Sequence, residues 1–112
     1  MGSRKWDSKT LEEIISIIKG IRPESIYLFG SSVTESSHGE SDIDLLIVAS
    51  SDKTPFERRM LLRRMLLDYD RRIGLDLLIY TPEEFEMLKR EPCSFVSSAI
   101  RKGAKIYERK AS

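Results

Sequence analysis

The reading of the fold turns on Ser25-Ile26-Tyr27-Leu28-Phe29-Gly30-Ser31, a gap of ten residues, and then Asp42-Ile43-Asp44-Leu45-Leu46-Ile47-Val48. The run from Leu45 to Val48 is short, wholly apolar and β-branched at its end, the pattern of a strand buried on both faces. Asp42 and Asp44 sit two residues apart, and on a strand that spacing puts both carboxylates on one face. Neighbouring carboxylates repel unless a cation sits between them. Oxygen-only ligands favour Mg²⁺ or Mn²⁺ over zinc. Upstream, Tyr27-Leu28-Phe29 reads as a strand that stops at Gly30-Ser31, a turn that lets backbone N–H groups approach a phosphate closely. One stretch thus combines a phosphate-binding turn with a metal-binding pair.

A second run, Leu75-Asp76-Leu77-Leu78-Ile79-Tyr80, also reads as a buried strand, bounded by Gly74 and Pro82. A carboxylate inside such a strand is costly unless it is paired or metal-bound. Asp76 is therefore the third candidate ligand. The plainer reading is a salt bridge to an arginine such as Arg72.

Gly30-Ser31, the ten residues Ser32 to Ser41, and Asp42-Ile43-Asp44 resemble, without a gap, the active-site signature of the DNA polymerase β-like nucleotidyltransferase superfamily. Within it the chain resembles the minimal nucleotidyltransferases, small single-domain proteins often paired with a helical toxin of the HEPN type. The resemblance implies an α/β (α+β) fold, a small mixed β-sheet packed with helices, over nearly all of residues 1–112 as a single nucleotidyltransferase domain. It implies that Asp76 completes a catalytic and metal-binding trio with Asp42 and Asp44, holding two Mg²⁺ ions. It implies that Gly30 and Ser31 hold the β- and γ-phosphates of a nucleoside triphosphate, taken to be ATP. The acceptor it implies is a tyrosine of a HEPN-type toxin, with this chain as the antitoxin. ATP and the acceptor rest on the resemblance alone.

Ser32 departs from the family, which often has Arg after Gly-Ser, and Glu35 stands where a Gly is common. The missing arginine removes a cation near the phosphates. Two rival readings follow. In one, the fold is kept as a binding module that neutralises its partner by masking it. In the other, the chain is the nucleotide-binding subunit of a two-chain transferase acting on a small molecule. Three retained carboxylates argue against a pure binder.

The 112 residues suit one domain, and 40% hydrophobic with 33% charged residues suits a soluble globular protein. No apolar run approaches a membrane span and the first ten residues hold no signal-peptide core. The one cysteine, Cys93, excludes an internal disulfide and points to a reducing cytoplasm. A net charge of +1 gives no case for direct nucleic-acid binding. Asn and Gln are absent, a depletion seen in hyperthermophile proteins. Self-association stays open.

The apolar spacing predicts a first helix over Asp7–Lys19, capped by Thr10 with Glu13 or by Asp7 or Ser8, and ended by Gly20. Strands follow over Ser25–Phe29 and Ile43–Ala49, with a short helical turn near Ser31–Ser36 between them. A second helix runs from Phe56 to about Tyr69 after Pro55, with Leu61, Leu62, Met65, Leu66 and Tyr69 inward and Arg58, Arg59, Arg63 and Arg64 largely opposite. Arg71, Arg72 and Gly74 form a turn before the strand Leu75–Tyr80. Thr81 and Glu84 cap a helix over Pro82–Arg90, and a last helix over Cys93–Lys102 precedes a small strand at Lys105–Glu108. Parallel or antiparallel pairing of the first two strands stays open. The arginines read as a solvated face or as a docking face for an acidic partner or RNA. His38 reads as a loop residue, Cys93 as helix packing, and Trp6 as a helix staple or a contact surface.

Overall fold

The computed structural model describes residues 8–29, 43–91 and 95–109. The first helix, α1, spans Ser8–Ile18 and tightens into a 3₁₀ turn over Lys19–Ile21. Strand β1 (Ser25–Phe29) is followed by β2 (Ile43–Val48), α2 (Pro55–Met65), α3 (Leu67–Arg72), β3 (Leu75–Tyr80), α4 (Pro82–Lys89), α5 (Phe95–Lys102) and β4 (Ala104–Glu108). The four strands form one sheet in the order β3-β2-β1-β4. β1 is antiparallel to both β2 and β4, whereas β2 and β3 run parallel. The sheet is therefore mixed, as expected, and the question of β1 and β2 is settled as antiparallel.

Side-chain alternation along β2 divides the core in two. Ile43, Leu45 and Ile47 join Ile14 and Ile18 of α1 and Leu62 and Leu66 around α2. Leu46 and Val48 point the other way, to Tyr27 and Phe29 of β1, Phe85 of α4 and Val96 of α5. β2 is buried along its whole length, which explains its unbroken apolar run. Burying a side chain such as Leu45 or Leu46 stabilises the fold by about 2 kcal/mol.

Both strand-to-helix junctions use the same four-residue device. In Thr54-Pro55-Phe56-Glu57 and in Thr81-Pro82-Glu83-Glu84, the threonine hydroxyl accepts the N–H of the glutamate, and the glutamate carboxylate accepts the threonine N–H. Proline follows the cap in each, where its missing N–H costs no hydrogen bond. The pair at Thr81 was predicted; that at Thr54 was legible only as Pro55 opening the helix.

Three expectations are corrected. Thr10 lies inside α1 and does not start it. Gly20 does not end the first helical segment: the chain passes through it, and the left-handed residue that closes the segment is Arg22, at φ 57°. Pro23 follows and prevents continuation. The second helix is broken at Leu66, and α3 carries the chain on to Arg72 instead of leaving a turn. Trp6, the predicted helical turn near Ser31–Ser36, His38 and Cys93 lie outside the described residues.

Candidate active site

Asp44 is the second residue of β2 and Asp76 the second of β3, and the parallel pairing sets them opposite one another. Register partners share a face of the sheet, with neighbouring strands about 5 Å apart. Asp44 is also the partner of Phe29, the last residue of β1. This end of the sheet is the one from which Gly30-Ser31 follows in sequence and to which Asp42 leads. Gly30, Ser31, Asp42, Ser32 and Glu35 themselves lie outside the described residues.

The two carboxylates differ in setting. Asp44 is 6% exposed in the central strand. Asp76 is not the fully buried charge its apolar surroundings suggested, because β3 is an edge strand and its side chain is 47% exposed. Nor is its partner Arg72. The guanidinium of Arg59, on α2, stands 3.9 Å from the Asp76 carboxylate. Arg72 lies over the Tyr69 ring and donates to the carbonyl of Asp68. Arg59 therefore already balances the charge of this carboxylate in the absence of a metal.

Arg58, one residue before Arg59, goes elsewhere. Adjacent helical residues point about 100° apart. Arg58 is 3% exposed, and its guanidinium donates two hydrogen bonds to the Glu84 carboxylate, at 3.0 and 3.1 Å. It also donates to the carbonyls of Lys53 (3.2 Å) and Ile79 (3.3 Å). The Ile79 bond occupies a carbonyl on the edge strand that would otherwise be open to another strand. The Arg58 hydrogen bond holds the Glu84 carboxyl below its ordinary value of 4.5, against a smaller opposing effect of burial. This corrects the expected solvent-facing role for Arg58. The signal was present: Arg58, Leu62 and Leu66 repeat at every fourth residue, so Arg58 belongs to the inward stripe.

The donor set suits a hard divalent cation: two carboxylates, Asp44 and Asp76, in register and supplying only oxygen ligands. Among the described residues no cluster of three His, Cys, Asp or Glu side chains forms, the third candidate, Asp42, being outside them. A recess of about 450 Å³ is lined by Ser25, Val48, Phe85 and Lys89 among others. It opens at the far end of the strands from Asp44 and belongs to a different part of the surface.

Residues 12–112 match the family described as polymerase beta, nucleotidyltransferase. The chain belongs to that family. A sequence comparison with curated proteins gives no match. Among solved structures, a candidate nucleotidyltransferase from Sulfolobus solfataricus is similar, with TM-score 0.59 and 21% identity over 90% of this chain and 79% of that one. A chain of a toxin–antitoxin complex with AMP-PNP gives TM-score 0.57 and 23% identity over 88% and 73%. A chain of the complex between tri-AMPylated Shewanella oneidensis HEPN toxin and MNT antitoxin gives 0.55 and 18% over 91% and 72%. At these identities the likeness is one of fold, and it agrees with the nucleotidyltransferase architecture. No described helix is long and apolar enough to cross a membrane.

Proposed function

We propose that this nucleotidyltransferase domain transfers AMP from ATP to a hydroxyl on a protein, as the antitoxin that modifies a HEPN-type toxin. The observation that carries the reading is the in-register pair Asp44–Asp76, at the end of the sheet where β1 runs into Gly30-Ser31. The S. oneidensis complex supports the acceptor, since its HEPN toxin is AMPylated and bound to an MNT antitoxin. The AMP-PNP complex supports the nucleotide.

In this reading Asp42, Asp44 and Asp76 hold Mg²⁺, and the backbone at Gly30 and Ser31 receives the β- and γ-phosphates. Bound Mg²⁺ would neutralise the triphosphate and the charge that builds up as pyrophosphate leaves. Asp44, in the buried central strand, is the fixed ligand. Asp76, half exposed on the edge strand, is the carboxylate an incoming hydroxyl can reach. It takes the hydroxyl proton as the acceptor oxygen bonds to the α-phosphorus and the bond to pyrophosphate breaks. Arg59 balances Asp76 before nucleotide arrives. The test is co-expression with a HEPN-type toxin, followed by intact-mass measurement. A mass gain of whole AMP units on the toxin, lost in Asp76→Asn, supports the reading; an unmodified toxin that is still neutralised overturns it in favour of masking.

A further inference from the structure

Large apolar side chains that a fold ordinarily hides stand open on α2 and α4, the helices that flank the edge strand carrying Asp76. Phe56 is 72% exposed, Met87 70% and Met60 40%. Two shallow grooves lie along β3, and a third continues over α2. The first is lined by Pro55, Ile79, Tyr80, Glu84, Met87 and Leu88. The second shares Pro55, Ile79 and Tyr80 with it and adds Phe56, Arg59 and Leu78. The third continues from Phe56 to Met60, between Lys53 and Arg64. By alternation Asp76, Leu78 and Tyr80 share one face of β3, so the grooves begin about 7 Å along the strand from the carboxylate.

We propose that this shelf docks the protein that carries the acceptor hydroxyl, through a segment with apolar anchors and acidic flanks. The proposal rests on the transferase reading above and adds where and by what chemistry the acceptor binds. Continuity with Asp76 is the first argument: a segment seated on Phe56, Leu78 and Tyr80 presents a neighbouring side chain to that carboxylate. Charge is the second. The groove over α2 is lined by Lys53 and Arg64 against one acid, Glu57, and Arg59, which faces Asp76, lines the second groove. Aromatic, Met and Arg side chains are the types enriched where proteins meet, and exposed apolar patches with polar rims mark such surfaces. A second copy of this chain suits the shelf less well, because a two-fold contact would set the same basic rim against itself.

The test uses a fluorescein-labelled amphipathic peptide of about 15 residues, built from Glu and Leu with one central Tyr, and its twin with Lys for Glu. Anisotropy is read against the full chain and its Phe56→Glu and Met87→Glu variants, with melting temperature confirming that both fold. The expected result is binding of the acidic peptide, weakened about tenfold or more by each variant and absent for the Lys twin. Equal binding to all three proteins, equal binding of both peptides, or no binding to the wild type overturns the proposal. So does a wild-type dimer that Phe56→Glu turns into a monomer, since a second copy then covers the shelf. AMP-PNP with Mg²⁺ is titrated separately. Peptide binding intact without nucleotide binding removes the transferase reading and leaves the shelf.

Discussion

Asp44 and Asp76 are register partners on the parallel strands β2 and β3, one buried in the sheet and the other half exposed at its edge. The asymmetry separates their contributions. Asp76→Asn removes a charge from a wet edge, so unfolding free energy should move by no more than about 0.5 kcal/mol. AMP transfer should fall by about a hundredfold or more, as the hydroxyl loses its base. Urea unfolding and radiolabelled ATP transfer check the two halves. A large loss of stability with activity retained would reassign Asp76 to structure.

Arg59 should compete with the metal for Asp76. An ion pair of 3.9 Å between half-exposed groups contributes about 0–1 kcal/mol. Arg59→Ala should therefore tighten Mn²⁺ binding to the nucleotide-free chain by at most about fivefold. Titration followed by electron paramagnetic resonance reads this directly. Weaker Mn²⁺ binding in the variant would mean that Arg59 orients Asp76 and does not compete for it.

The Arg58–Glu84 pair ties α2 to the start of α4 across the edge of β3. Arg58→Ala leaves the Ile79 carbonyl and the Glu84 carboxylate short of donors, at a cost of about 2 kcal/mol. Glu84 titrates below its ordinary 4.5 when folded, chiefly through the Arg58 hydrogen bond. Its contribution is thus fully present above that value and is lost as pH falls through the lower, folded one. The stability gap between wild type and Glu84→Gln should be constant near neutral pH and close as acid protonates Glu84. Urea unfolding across that range measures it; a gap that widens in acid would contradict the assignment.

Much of this was legible because period and punctuation agreed. Ser25–Phe29 and Leu75–Tyr80 fall where strands were expected, since apolar runs there are bounded by Pro23, Gly74 and Pro82. The cost of a charge in an apolar run marks Asp44 and Asp76, yet Asp76 stands half exposed. Sequence does not say that β3 is an edge strand, and the sheet order decides its exposure. Arg59 was invisible for the same reason: its partner lies on another element. Gly20 was misplaced because a glycine suits a helix end without compelling one, whereas Pro23 compels the stop and Arg22 takes the left-handed turn. The predicted ligand Asp42 and the phosphate turn Gly30-Ser31 lie outside the described residues and remain proposals.

In the proposed reading Asp44 belongs to a Mg²⁺-dependent nucleotide site. Calorimetric titration of ATP into the wild type and Asp44→Asn, each with Mg²⁺ and with EDTA, tests this. Saturable binding to the wild type in Mg²⁺ alone is expected, with binding weakened by about a hundredfold or more in the variant. Equal ATP affinity in the two proteins, or binding by the wild type that EDTA does not alter, would contradict it.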